Sequence, residues 1–284
     1  MTIQWFPGHM AKARRELLAR LPQVDMVLEV ADARVPAASR NPDLAQLLAG
    51  KLHLVVLNKA DLASIQVTDE WLCDIRSRDI EAMAFSAISD RRRKLLDPIR
   101  KLATSKAKSI GSLRVLVLGI PNVGKSAIIN KLVGRRSAAV GARPGVTRGQ
   151  QWVRATKNLM ILDTPGILWP KFADKQTGFK LAAIGAIREE ILPLEEVAFW
   201  LSQQLLRRAP LTLETTYDLK SSDATTVLTG IARRRGMYLS GGRLDTERAA
   251  AMLIREFQQG KLGRISLETP GEGRQANDDE EFMV

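Results

Sequence analysis

A chain of 284 residues, 45% of them apolar and with a formal net charge of +12, is long enough for about two domains and rich enough in apolar side chains to give each a core, which excludes a disordered or fibrous protein. The single cysteine, Cys73, excludes an intramolecular disulfide framework and a cysteine-rich zinc site, and suits a reducing compartment in which it is an ordinary helix residue. No apolar run approaches the roughly 20 residues that cross a bilayer, and the first ten residues lack the basic start and apolar stretch of a signal or transit peptide, so a cytoplasmic, bacterial location away from membranes is expected.

Residues 1–22 read as a head helix packed on the following domain: Met10, Ala13, Leu17, Leu18 and Leu21 recur at helical spacing beside Lys12, Arg14, Arg15 and Arg20. From 23 to 176, apolar runs at Met26–Val30, His53–Leu57, Ala82–Phe85, Leu113–Leu118 and Met160–Leu162 predict buried strands, and His53 within its run is expected to be packed. Helical stretches near Pro42–Ala49, Asp69–Arg78 and Arg91–Ala107 separate them, so a mostly parallel α/β sheet flanked by helices is expected. From 177 to 269 the strand pattern stops, and Phe179–Glu190, Leu194–Ala209, Asp223–Arg235 and Thr246–Gln259 read as helices of a small all-helical domain, the last capped by Asp245 and followed by Gly260. Residues 270–284 are Gly-rich and acidic and are expected to be disordered.

The positive charge is clustered, first at Arg91-Arg92-Arg93-Lys94 with Arg100, Lys101, Lys106 and Lys108, then at Arg233-Arg234-Arg235 with Arg243, Arg248, Arg255, Lys261 and Arg264. Two such clusters point to a polyanion, the alternative being solvated basic helix faces. Trp5, Trp169 and Trp200 either stack on bases or pack in loops and helices.

Three short motifs carry the chemistry. Gly119-Ile120-Pro121-Asn122-Val123-Gly124-Lys125-Ser126 follows a strand and opens a helix, the setting of a phosphate-binding loop. The segment Pro121 to Ala127 would wrap phosphates with backbone N–H groups that begin at Asn122, Lys125 would neutralise them, and Ser126 would ligate Mg²⁺. Asn58-Lys59-Ala60-Asp61 ends an earlier strand; Asp61 can accept from both the ring N–H and the exocyclic amine of guanine, whereas adenine would leave this carboxylate unpaired at a cost of about 1–3 kcal/mol. Ser86-Ala87, after the next strand, fits a companion loop whose backbone N–H meets the guanine carbonyl.

Asp163-Thr164-Pro165-Gly166 supplies an Asp to orient Mg²⁺ through water and, at Gly166, an amide that senses the γ-phosphate. Thr147 is the switch hydroxyl expected on Mg²⁺, with Thr156 as its rival within or beyond the following strand. The base motif precedes the phosphate motif, the reverse of an ordinary GTPase, so the domain reads as a circularly permuted P-loop GTPase. Ile167 stands where many GTPases carry the glutamine that orients the attacking water.

With the head Trp5-Phe6-Pro7-Gly8-His9-Met10, the segment Asp32-Ala33-Arg34-Val35-Pro36, the permuted motifs and the helical C-terminal part, the chain resembles the ribosome biogenesis GTPase A family over most of its length. The resemblance implies a GTP-hydrolysing factor of late large-subunit assembly, with GTP and GDP, the large ribosomal subunit and its rRNA as partners, and a monomer off the ribosome. It also implies His9 as a catalytic residue, against a structural or RNA-contacting role, and K⁺ held by Asn122 as an activator, against Asn122 merely shaping its loop. Because the helical part follows the segment that senses the γ-phosphate, its orientation is expected to differ between GTP and GDP states. Two other readings remain at this point: an RNA-bound, nucleotide-gated placeholder with negligible hydrolysis, and a GTPase acting on the small subunit or another RNA.

Overall fold

A computed structural model describes residues 15, 18–40, 48, 50–105, 112–134, 151–163, 174–187 and 192–272, with backbone alone at 105, 151 and 163. Its strands are β1 (Met26–Asp32), β2 (Leu52–Asn58), β3 (Glu81–Ala84), β4 (Leu113–Leu118), β5 (Gln151–Thr156) and β6 (Leu159–Asp163). They form one sheet in the order β3-β2-β1-β4-β6-β5, parallel throughout except for β5, which runs antiparallel to β6. β1 is buried at every position and β4 at its last four, because interior parallel strands are covered on both faces; that is why they read as continuous apolar runs. Edge strand β5 has no such run to announce it, and Trp152 alone joins the cluster of Val27, Leu116, Leu118 and Leu162.

The helices are α1 (Pro36–Ser39), α2 (Ile65–Arg76), α3 (Arg92–Ser105), α4 (Lys125–Val133), α5 (Lys175–Ala183), α6 (Leu194–Arg208), α7 (Leu211–Tyr217), α8 (Ala224–Arg234) and α9 (Thr246–Gln258). α2 starts four residues before the expected Asp69 because Ser64 caps it, accepting from the Val67 amide. α5 starts at Lys175 behind an Asp174 cap and ends at Ala183, well short of Glu190. The cause is Gly185, at φ +79°, with the Ala186 amide donating to Leu181 O at 2.9 Å, a turn that closes a helix. The seven-residue α7, entered from Pro210, carries too short a pattern to be anticipated. α9 is capped by Asp245, which accepts from the Arg248 amide at 3.0 Å, and is followed by Gly260 at φ +75°. The helix expected at 42–49 lies outside the described residues, Leu48 excepted, as do the head to residue 14 and the tail from 273.

One apolar cluster runs from the sheet (Leu28, Val30, Val115) through α4 (Ile128) into the helical part (Leu201, Leu253). Trp200 belongs to this packing: its ring sits 5.8 Å from that of Phe179 and its Nε1 donates to Gln176 Oε1. His53 is half-buried and not simply packed among apolar side chains; its Nε2 lies 3.1 Å from Glu29 Oε2.

Beyond α9 the chain returns as a strap over the segments that follow β1 and β2. The Ile265 amide donates to Leu62 O at 3.0 Å, the Leu267 amide to Arg34 O at 2.8 Å, and Trp71 Nε1 to Glu268 O at 3.2 Å. The buried Glu268 carboxylate accepts from the Ala37 and Ala38 amides at 2.5 and 3.1 Å and from Lys180 Nζ at 2.9 Å. A carboxylate there satisfies amides that the first turn of α1 leaves without helical partners. Glu268→Ala is therefore expected to lower the unfolding free energy by about 3 kcal/mol. Urea denaturation at pH 7 checks this, with Lys220→Ala, which removes an exposed ion pair to Glu214, expected to change it by less than about 0.5 kcal/mol.

Candidate functional site

The loop after β4 leaves the middle of the sheet at its C-terminal edge and turns into α4. Gly119 has φ +152°, and a Cβ there would lie 2.3 Å from Val30 O of the neighbouring strand. Gly124 has φ +96°, and a Cβ on it would lie 2.3 Å from Asn58 Nδ2. With Asn122 also left-handed, at φ +61°, the loop has the backbone of an anion nest ahead of a helix N-terminus. Buried Lys125 donates from Nζ to Ile120 O at 2.7 Å, which keeps its ammonium at the loop. Pro121 and Val123 are buried, and Ser126 and Ala127 half-buried in the first turn of α4. Asn122 Nδ2 donates to Gly185 O at 2.6 Å, tying this loop to the turn after α5.

The base motif lies on the same edge. Asn58 ends β2, and its Nδ2 donates to Val123 O at 2.7 Å while its Oδ1 accepts from the Ala87 amide at 3.1 Å. The Leu62 amide donates to Lys59 O at 2.8 Å, closing the turn that carries half-buried Asp61, and the Ala60 amide donates to Phe85 O at 3.2 Å. The Ser86 amide donates to Asp90 Oδ2 at 2.8 Å. Partial burial would raise the Asp90 carboxyl, but the Lys94 ammonium and the Ser86 amide outweigh it and hold it below its ordinary value. Both companion-loop amides are thus engaged within the protein, so a base carbonyl could reach Ala87 N–H only by sharing it with Asn58 Oδ1.

Behind Lys59 lies a charge cluster that the motifs did not announce. Lys59, left-handed at φ +58°, places Nζ 3.0 Å from Asp32 Oδ2. Arg34 Nη2 donates to the same oxygen at 2.8 Å and Arg34 Nε to Oδ1 at 2.9 Å. Arg34 is fully buried, donates to Phe257 O at 3.1 Å and lies 5.0 Å from the centre of the Phe257 ring. Burial would push the Asp32 carboxyl up, but Arg34 and Lys59 hold it far below the carboxylate range. Burial pushes the Lys59 ammonium down, with Asp32 opposing. No local signal pairs them: Asp32, at the end of an apolar strand, comes opposite Asn58 only through the register of β1 on β2.

Asp163 ends β6 opposite Val117, so its backbone sits beside the loop that starts at Gly119. Its side chain, and His9, Thr147 and Gly166, lie outside what is described. No group of three or more His, Cys, Asp or Glu that could hold a metal occurs among the described residues. A hydroxyl at Ser126 with an Asp at the adjacent strand end fits Mg²⁺, which takes few protein ligands and keeps water and phosphate oxygens, better than a caged ion.

Residues 114–206 match the family model of the 50S ribosome-binding GTPase. "Ribosome biogenesis GTPase A" of Bacillus cereus is 40% identical, covering 99% of both chains, and that of Priestia megaterium 39% identical, covering 97% of this chain and 99% of the relative. The chain belongs to the ribosome biogenesis GTPase A family. Two solved structures share its fold. GDP-bound YlqF has a TM-score of 0.70 at 29% identity over 90% of this chain and all of that one; GNP-bound YlqF from T. maritima has 0.66 at 30% identity over 92% and 99%. The matched segment opens at β4, so β1 to β3 and the base motif lie upstream of it, the permuted order of this GTPase family.

Two outcomes follow from the geometry. Gly124→Ala in this GTPase must displace Asn58 and is expected to weaken GDP binding at least about tenfold, measurable by calorimetry. Asp32→Asn leaves Lys59 and Arg34 under-compensated and is expected to cost about 3–5 kcal/mol of stability at pH 7. Asp32 has a depressed folded pKa, so its contribution is fully present above its unfolded value near 3.9 and is lost as pH falls through the folded value. Urea denaturation of the wild type should therefore show no loss from this group between about pH 5 and 8.

Proposed function

We propose that the chain binds the large ribosomal subunit and its rRNA when loaded with GTP, acts late in subunit maturation, and leaves after hydrolysis to GDP. The observation that carries the nucleotide half of this reading is the Asn58 side chain, which joins the loop of the phosphate motif to the companion loop of the base motif. In this reading Asp61 accepts from guanine, Asn58 and Lys59 hold the base loop, and Ser86 and Ala87 border the base carbonyl. The segment Pro121 to Ala127, whose N–H donors begin at Asn122, would hold the phosphates with Lys125 and Gly166; Ser126 and Thr147 would ligate Mg²⁺, and Asp163 would do so through water. Mg²⁺, when bound, offsets negative charge on the β and γ phosphates. Water attacks the γ-phosphorus in line while the bond to the β–γ bridging oxygen breaks, and the amides and Lys125 stabilise the charge that develops.

Ile167 has no group to orient that water, so we assign the task to His9, ordered when the subunit is bound, with K⁺ beside Asn122 as activator. The head is 1–22, the GTPase domain 23–176, the subunit-contacting helical domain 177–269 and the acidic tail 270–284; off the ribosome the protein is a cytoplasmic monomer. No helix among the described residues is long and apolar enough to cross a membrane. Part of the basic charge is spent internally. Arg92 donates to Leu132 O and Ala155 O at 2.8 Å each, whereas Arg235, 5.6 Å from the centre of the Tyr217 ring, stays exposed. Arg100, Lys101, Arg233, Arg243, Arg248 and Lys261 are exposed and suit an RNA backbone.

Phosphate release from GTP in K⁺ and Mg²⁺ buffer, alone and with purified large or small subunits, tests this reading. Slow turnover alone, stimulation by the large subunit only and loss of that stimulation in His9→Ala are expected, along with reduced turnover when Na⁺ replaces K⁺. Subunit affinity should fall by at least about tenfold between 50 and 200 mM salt. No stimulation by either subunit would favour the placeholder instead.

A further inference from the structure

The turn that carries Asp61, closed on itself by the Leu62 amide to Lys59 O, is also gripped from outside. Ala60 O accepts from Arg264 Nη2 at 2.7 Å and Ala63 O from Arg264 Nε at 2.9 Å. Between them Leu62 O accepts from the Ile265 amide at 3.0 Å, and the Ser64 amide donates to Ser266 Oγ at 3.2 Å. The Leu62 side chain closes against Gly260, where a Cβ would lie 2.4 Å from Leu62 Cδ2. Thus the backbone on both sides of Asp61 is gripped by residues about 200 positions further along the chain, beyond α9. An arginine suits the task because its planar fork can hold two carbonyl oxygens at once, whereas lysine offers a single point charge.

Specificity for guanine rests on where the Asp61 carboxylate sits, and an acceptor pair that misses the donors of the base by an ångström loses most of its worth. From these contacts we infer that Arg264 is a positioning residue for nucleobase selection: it fixes the Asp61 turn so that the carboxylate meets both the ring N–H and the exocyclic amine of guanine. The guanidinium acts through the Ala60 and Ala63 carbonyls. Arg264 stays exposed while two of its donors are held by this loop, and base selection then depends on the strap of the helical part. The inference rests on the proposed guanine-binding role of Asn58 to Asp61.

The test compares GDP with IDP, whose hypoxanthine keeps the ring N–H but lacks the exocyclic amine, by calorimetry on the full chain. Wild-type protein is expected to prefer GDP; if it does not, the guanine-loop reading itself fails. Arg264→Ala should narrow the GDP over IDP ratio about tenfold, and Arg264→Lys by an intermediate factor. Ser266→Ala, which removes one neighbouring bond and leaves the guanidinium in place, should narrow it least. A wild-type protein that discriminates, with Arg264 variants that keep the same ratio, overturns the inference. So does an equal loss of GDP and IDP affinity, the mark of general loosening. If Arg264→Ala does not fold, Arg264→Lys decides by the same ratio.

Discussion

The nucleotide edge depends on one side-chain amide. β1 lies between β2 and β4, so the loops after β2 and β4 stand two strand spacings apart, about 10 Å, and cannot share backbone hydrogen bonds. Asn58 bridges that gap, donating to the phosphate loop at Val123 and accepting from the companion loop at Ala87. The same amide makes Gly124 obligatory, because any side chain there would occupy its nitrogen. Sheet adjacency brings these loops together, and adjacency is indifferent to which strand comes first along the chain, so the permuted order leaves the site intact.

Behind the edge, burial makes charge pairing compulsory. Buried Asp32 and Arg34 each need the other, since an unpaired charge at that depth costs several kcal/mol, and half-buried Lys59 adds a second cation to the same carboxylate. Through Arg34 the cluster reaches Phe257 of α9, through the strap it reaches Leu62 and Trp71, and Asn122 reaches Gly185 after α5. The helical part is therefore fastened to both the base and the phosphate halves of the site. The expectation from chain order alone was a lever joined at the γ-phosphate-sensing segment; the contacts add two further attachments.

Much of this was legible locally. Buried parallel strands must be apolar on both faces, so β1, β2 and β4 showed themselves as runs, and the phosphate and base motifs are short because each works through one turn of backbone. β5 was faint because an edge strand has less to bury, α5 ran long on paper because its stop signal is a glycine conformation, and α7 was too short to show a period. The pairs Asp32–Lys59, Arg264–Ala60 and Glu268–Ala37 span 27 to 231 positions, and no local pattern encodes a partner at such range.

By itself, the sequence determined the chemistry the chain carries and its family: a phosphate loop, a guanine motif, their reversed order and an excess of basic residues are all written in contiguous residue types. Tertiary structure decided which of those residues are available. It engaged part-buried Arg92 and exposed Arg264 with backbone carbonyls and set exposed Arg235 over an aromatic ring, engaged the Ser86 and Ala87 amides, and laid the strap over the base loop. The physical reason is that buried polar groups must find partners wherever the fold places them, and that requirement is met in space, not along the chain.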